Sequence, residues 1–412
     1  MATSYLTPGV YVEEVSGGAR PITAQGTNVC AFLGMAPDSA KRPQEAVAVN
    51  NWSEFVREFV SKDSESTPLS SAVHGWFLNG GGRCYVVNVG KDGTVAGGGR
   101  GARKGVDLLK PIDDISMVAA PGFTDAGAYD AVLSHCEELK DRVAILSAPE
   151  NVSSVNQLTE IATAKPTTPK DAPKDAAAAA AAAAAGTGKG LRARPSDGGY
   201  GSFFFPWLVV RDPLDPKEII TVPPDGHIAG IYSRNDATRG VHKAPANEIV
   251  RGALDVTYHV TFDEQALLNP LGVNCIRQFS RDGIRVYGAR TLADAASEWR
   301  YTSVRRTFAM IEKSIALGTR WVVFEPNDAP LWKSIIRDVS AFLTLLWRQG
   351  ALMGATPEQA FFVKCDAETN PPEVVDAGQV VTLVGCAPVK PAEFVIFRIG
   401  QGAGGADVGE AQ

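Results

Sequence analysis

The sequence predicts an α/β (α+β) chain, with a layered α/β region in the middle and a helix-on-sheet layer in the C-terminal third. Two observations carry that reading. Short apolar runs alternate with segments of helical period between Asn51 and Val210. Two long amphipathic segments then dominate the region after Asp294, with short β-rich runs around them. At 412 residues the chain exceeds the comfortable size of one core, so two domains are expected.

Taken in order, residues 7–16 (TPGVYVEEVS) open with a Pro-Gly turn signal and continue as a short extended run, far ahead of the next apolar segment. A strand without a sequence-adjacent partner must leave its backbone groups in water or pair them elsewhere. It is either a projecting arm or an edge strand folded back on its own domain. Trp52, Phe55, Val56 and Phe59 stand at helical spacing, and Leu69 to Leu78 repeats the pattern before Asn79 and three glycines end it. Strands follow at Cys84–Val89, Ile115–Ala120, Val143–Ser147 and Phe203–Val210, with a helix at Ala128–Leu139.

Residues 162–201 collapse into Lys, Pro, Thr, Ala and Gly, with ten consecutive alanines from Ala176 to Ala185. Such composition cannot bury enough apolar area to offset its ordering entropy, so an exposed insertion is predicted there. A milder flexible stretch is predicted over Gly93–Gly105. In Pro330–Gln349 the residues Leu331, Trp332, Ile335, Ile336, Val339, Phe342, Leu343, Leu346 and Trp347 mark one broad face. Asp328 suits the N-cap, Pro330 the first turn and Gly350 the stop. A second helix is expected from about Asp294 to Leu317. Strands are expected at Val322–Phe324, Phe361–Cys365, Val380–Gly385 and Phe394–Ile399.

Charge and chemistry exclude several classes. Lys and Arg number 40 against 46 Asp and Glu, and the charges are interspersed, so the basic footprint of nucleic-acid binding is missing. No apolar run approaches the roughly 20 residues that cross a bilayer. The six cysteines form no CxxC pair and read as reduced thiols. Met1–Val10 has no basic n-region or apolar h-region, so assembly in the cytosol is expected. GlyThrGlyLysGly at 186–190 invites a phosphate-loop reading, but Ala183 and Gly190 occupy the places where that motif needs a glycine and a Ser or Thr. The five histidines lack ligand spacing, so no cofactor is expected. The arginines at 277, 281, 285, 290, 300, 305 and 306 form either a basic face for an acidic partner or a set of intramolecular bridges.

Eight strings then give the chain a relative. They are YLTPGVYVEEV (5–15), GWFLNGGGRCYVV (75–87), VPPDGHIAG (222–230), RGVHKAPANE (239–248), LNPLGVNCIR (268–277), GARTL (288–292), WVVFEPND (321–328) and KPAEFVIFRI (390–399). In this order across most of the chain they resemble the phage tail sheath family, which includes the sheaths of pyocin-like particles and of extracellular contractile injection systems.

That resemblance implies a structural protein that polymerises helically around an inner tube and contracts from a metastable extended state, with no fuel at the moment of firing. It implies an N-terminal linking arm (1–22), an outward α/β region (23–280, with insertions at about 91–110 and 162–201), a sheath core (281–388), and a linking strand and tail (389–412). By it, Val10, Tyr11, Val12, Glu13, Glu14 and Val15, together with Phe394, Val395, Ile396, Phe397, Arg398 and Ile399, exchange strands with neighbouring subunits. Implied partners are further copies of the chain in hexameric rings, the inner tube, and baseplate and terminal cap proteins. Hinges are expected at Ser16–Gly18 and Pro388–Pro391. Lys333, Arg337 and Arg348 are expected to meet the tube. A nucleotide-dependent α/β enzyme using the glycine-rich loops is the competing reading.

Overall fold

The computed structural model describes residues 21–163 and 190–396, apart from positions 92, 99, 100 and 102. The first strands are β1 (Cys30–Gly34), β2 (Ala46–Val49), β3 (Cys84–Asn88), β4 (Met117–Ala119), β5 (Val143–Ser147) and β6 (Gly201–Phe205). There follow β7 (Leu208–Arg211), β8 (Ile219–Val222), β9 (Glu248–Ile249) and β10 (Ala253–Val256). The last are β11 (Val273–Phe279), β12 (Gly283–Tyr287), β13 (Phe361–Lys364) and β14 (Leu383–Cys386).

Nine of these make one sheet in the order β2-β3-β1-β4-β5-β6-β11-β12-β9. From β3 to β11 the neighbours are parallel, and β2, β12 and β9 close the two sides antiparallel. Parallel strands need helical crossovers, which cover both faces and explain why β1, β3, β4, β5 and β6 are buried throughout.

Side-chain alternation divides the central core in two. Ala31, Leu33, Val87, Leu146, Phe203 and Phe205 point to one face, where α3 (Ala126–Leu139) packs through Tyr129, Val132 and Leu133. Phe32, Val86, Ile145 and Phe204 point to the other, under α1 (Trp52–Phe59), α2 (Pro68–Leu78) and α4 (Asp225–Arg239). Helices α2 and α4 touch backbone to backbone, since a Cβ on Gly226 would lie 1.9 Å from the Ala72 carbonyl oxygen. A separate sheet, β10-β7-β8, lies beside this layer.

The C-terminal third has its own core. After α5 (Phe262–Leu268) and β12 come α6 (Thr302–Gly318), α7 (Ala329–Arg348), α8 (Pro357–Ala360) and α9 (Pro372–Asp376). Leu331, Ile335, Val339, Phe342, Leu343 and Leu346 of α7 pack with Met310 and Ile311 of α6, with the β13–β14 pair, and with Ile22. Burying each large apolar side chain is worth about 1.5–3 kcal/mol. Asp328 Oδ1 caps α7 by accepting from Leu331 N (3.0 Å), Pro330 lies in its first turn, and Gly350 follows with φ +79°.

Four predicted elements are corrected. The run Phe203–Val210 is two strands in two sheets, because Pro206 between them has no N–H for a ladder. The helix expected from Asp294 begins at Thr302, since Asp294 closes a turn by accepting from Ala296 N and Ser297 N, and Arg290 and Tyr301 pair as an extended bridge. Val322–Phe324 is not a strand: Arg320–Val322 forms a 3-10 turn and Phe324 has φ +71°, which leaves no straight edge to pair. The loop expected around Gly93–Gly105 is partly core, with Val95 buried beside Val106 and Leu109.

Candidate assembly interface

Helix α7 presents Lys333, Arg337, Ala341, Leu345 and Arg348 on the face opposite its core residues, and all five are exposed. The spacing therefore brings the three predicted basic residues onto one stripe. Their charges are not equivalent, because Arg337 Nε donates to Asp338 Oδ1 (2.9 Å) and that carboxylate is buried.

The β13–β14 pair is the second element of interest. Its register sets Phe361 against Cys386 and Val363 against Val384, and Ala387 N donates to Ala360 O (2.8 Å). In an antiparallel ladder that bond makes Phe361–Cys386 and Val363–Val384 the non-hydrogen-bonded pairs, so their backbone groups point outward. The N–H of Phe361 is used by the end of α8, where it meets Pro357 O. Val363 on one edge, and Val384 and Cys386 on the other, face away from the ladder. One face of the pair seats Phe361, Val363 and Cys386 on the C-terminal core, while Phe362 and Leu383 on the other are exposed. A two-stranded sheet with outward groups on both edges is a template for further strands.

A candidate for such a strand lies in the same third of the chain. Phe394, Val395 and Ile396 are 72%, 71% and 80% exposed and pair with nothing among the described residues. The other predicted linking residues, Phe397, Arg398, Ile399 and Val10 to Val15, lie outside the described residues, as do Ser16–Gly18. Pro388–Pro391 is strapped rather than free at its start: Pro388 bridges Leu352, and Val389 N donates to Ala351 O (3.2 Å).

The arginine-rich segment is largely turned inward. Arg277 donates to Gln265, Arg285 to Asn247 O and Arg300 to Ala295 O. Arg305 lies over the Trp299 ring (4.2 Å) and bonds Glu312 (3.0 Å). Arg306 grips Asp236 with both terminal nitrogens (2.9 and 2.5 Å), reaches Thr27 O (3.0 Å) and lies over Tyr232. The Arg306 contacts join α6 to the central layer, and intramolecular bridging is the reading the geometry favours for these arginines.

Sequence reasoning missed the environment of Glu393. Burial pushes its carboxyl up, but hydrogen bonds from Arg290, Asn269 and Tyr301 outweigh that and hold it below the usual carboxylate range. Two histidines are also less ordinary than their spacing implied. Among the described residues His135 has no partner on either ring nitrogen and His227 none on Nδ1, and burial lowers both to about 4, so they sit neutral in the core. All six cysteines are free, and no three metal-ligating side chains converge among the described residues.

Residues 294–401 match the family description "Phage tail sheath C-terminal domain" and residues 211–292 match "Phage tail sheath protein central domain". The chain belongs to the phage tail sheath family. Its similarity extends over the whole length of solved sheath proteins. The PVC sheath of an extracellular contractile injection system, in its contracted state, is 29% identical at TM-score 0.74, with 98% of this chain and 99% of that one covered. The helical sheath of the anti-feeding prophage in its contracted state is 29% identical at TM-score 0.71, with 97% and 100% covered. The tail sheath protein of Salmonella phage ViI is 28% identical over 69% of this chain and 43% of its own length. The chain spans less than half the length of the curated phage relatives it matches first. Neither family nor neighbours support the nucleotide-dependent enzyme.

Proposed function

We propose that this chain is the sheath subunit of a contractile tail-like particle. It polymerises helically around an inner tube and contracts from a metastable extended state to drive that tube through an envelope. The observation that carries this reading is the β13–β14 pair, with outward backbone groups on both edges and an apolar Phe394–Ile396 segment, unpaired among the described residues, in the same third of the chain. Near-complete coverage of two contracted sheath structures supports it. In this reading the N-terminal arm, Val10 to Val15, and the C-terminal strand, Phe394 to Ile399, add to the sheet edges of neighbouring copies. Each added strand contributes about four hydrogen bonds at roughly 1 kcal/mol net, multiplied over the polymer.

The division of labour follows the same logic. The region of 281–388 with the N-terminal arm forms the inner sheath core, and the 23–280 layer faces outward. Lys333, Arg337 and Arg348 rest against the tube, and Ser16–Gly18 is a hinge that lets subunits rotate while connected. Hexameric rings, a baseplate and a terminal cap complete the particle, which is assembled in the bacterial cytoplasm. Negative-stain electron microscopy tests this, comparing the full chain with a version lacking residues 1–16. Hollow helical tubes from the first that vanish in the second are the expected result. Monodisperse particles from both would overturn self-assembly by strand exchange.

A further inference from the structure

The C-terminal chain is held twice before Phe394. The first hold is the bridge of Pro388 and Val389 to the segment after α7. The second, at Glu393, is to a different part of the molecule. Arg290 donates through Nη2 to Oε2 (2.7 Å) and through Nε to Oε1 (2.9 Å). Asn269 Nδ2 donates to Oε1 (2.7 Å), and the Tyr301 hydroxyl donates to Oε2 (3.3 Å). A two-pronged arginine on a carboxylate is among the stronger and more directional polar contacts a protein makes.

The grip has a foundation of its own. Arg290 is 7% exposed, its backbone N–H donates to Asn274 Oδ1 (2.7 Å), and its carbonyl accepts from Asn274 Nδ2 (2.8 Å). Asn274 is fully buried on β11, within the nine-stranded sheet. Arg290 Nη1 also donates to Asn269 O (3.2 Å), which ties two of the three gripping residues together. Arg300 lies over the Tyr301 ring at 4.6 Å and donates to its hydroxyl (2.9 Å). The residues that grip Glu393 follow α5, follow β12 and precede α6, so the clasp ties the chain to elements other than α7 and the β13–β14 pair. It stands one residue before three exposed apolar side chains.

We propose that Glu393 is a positioning residue that fixes the root of the C-terminal arm to the central sheet and so sets the arm's free length. This rests on the reading of that arm as an inter-subunit link. With the clasp closed the free segment starts at Phe394, and tension from a neighbour passes through Glu393 and Arg290 into β11. With it open the free segment starts at Lys390. About four residues at roughly 3.3–3.6 Å each then add about 13–14 Å of reach. A tether of fixed root keeps neighbouring subunits in one geometry until the motion demands more.

Hydrogen exchange of the full-length chain, read on peptides covering 388–393, tests the clasp directly. In Glu393→Ala, exchange there is expected to rise at least tenfold while α7 peptides stay unchanged, with Glu393→Gln, which keeps an acceptor oxygen, in between. Unchanged exchange overturns the proposal. The second readout is the guanidinium concentration at which extended sheaths on their tubes contract, which a purely structural role would leave alone. A lower threshold for Glu393→Ala is expected, and an unchanged one with faster exchange overturns the tether role. Failure of the wild-type chain to assemble would refute the sheath reading instead, with the exchange result still deciding the clasp.

Discussion

The outward edge of β14 is where the assembly reading is most exposed to refutation. Val384 and Cys386 turn their backbone groups away from the ladder, as the Ala387 N to Ala360 O bond dictates. An added strand would therefore make about four hydrogen bonds along this edge, worth about 4 kcal/mol, or roughly a thousandfold in association constant. Val384→Pro deletes one outward donor and places a ring where the incoming backbone must approach, while the inward ladder bonds of Phe362 with Gly385 are untouched. Losing about two of the four bonds costs about 2 kcal/mol, roughly thirtyfold. The critical concentration for sheath formation, measured by sedimentation and confirmed by electron microscopy, should rise by about that factor, and the thermal midpoint of the unassembled chain should hold. Assembly at the wild-type critical concentration would show that this edge receives no strand.

Other parts of the molecule make independent predictions. Asp225 is buried and accepts from Ser147 Oγ (2.8 Å), and burial raises its carboxyl to about 7 against that hydrogen bond. The folded chain thus keeps a proton that the unfolded chain releases. This group's stabilisation is complete below about pH 4 and is lost as pH rises to about 7, a fall of about 4 kcal/mol. Asp225→Asn should flatten that slope in urea titrations across pH, and an unchanged slope would refute the burial argument. Arg306 and Asp236 have side chains 2% and 6% exposed, so Arg306→Met strands a buried carboxylate and should cost about 3–5 kcal/mol. Adding Asp236→Asn should recover most of it, whereas additive losses in a double-mutant cycle would count against a coupled pair. Lys333→Glu should reduce retention of the tube in extended particles more than Arg337→Glu, because Arg337 is already neutralised by Asp338. The deficit should shrink with added salt, and equal retention across a salt series would remove these residues from the tube contact.

The sequence by itself determined the local elements that depend on near neighbours. Helix α7 was legible from its apolar period, the Asp328 cap and the Gly350 stop, because helix formation is governed by residues three and four apart. The buried strands β3 and β5 were legible as unbroken apolar runs, and the family was legible in short strings spread across the chain. Where a strand depended on a partner, the sequence misled. Val322–Phe324 has the composition of a strand but no edge beside it among the described residues, and Phe203–Val210 hid a change of sheet at Pro206. Only the tertiary structure decided which arginines are spent inside the molecule, since Arg306 meets Asp236 and Arg290 meets Glu393 across separations of 70 and 103 residues. The same holds for the outward-facing backbone of Val363 and Val384. Those groups are defined by which pairs of the ladder exchange hydrogen bonds, and pairing between strands nearly 20 residues apart leaves no mark on the spacing of either one.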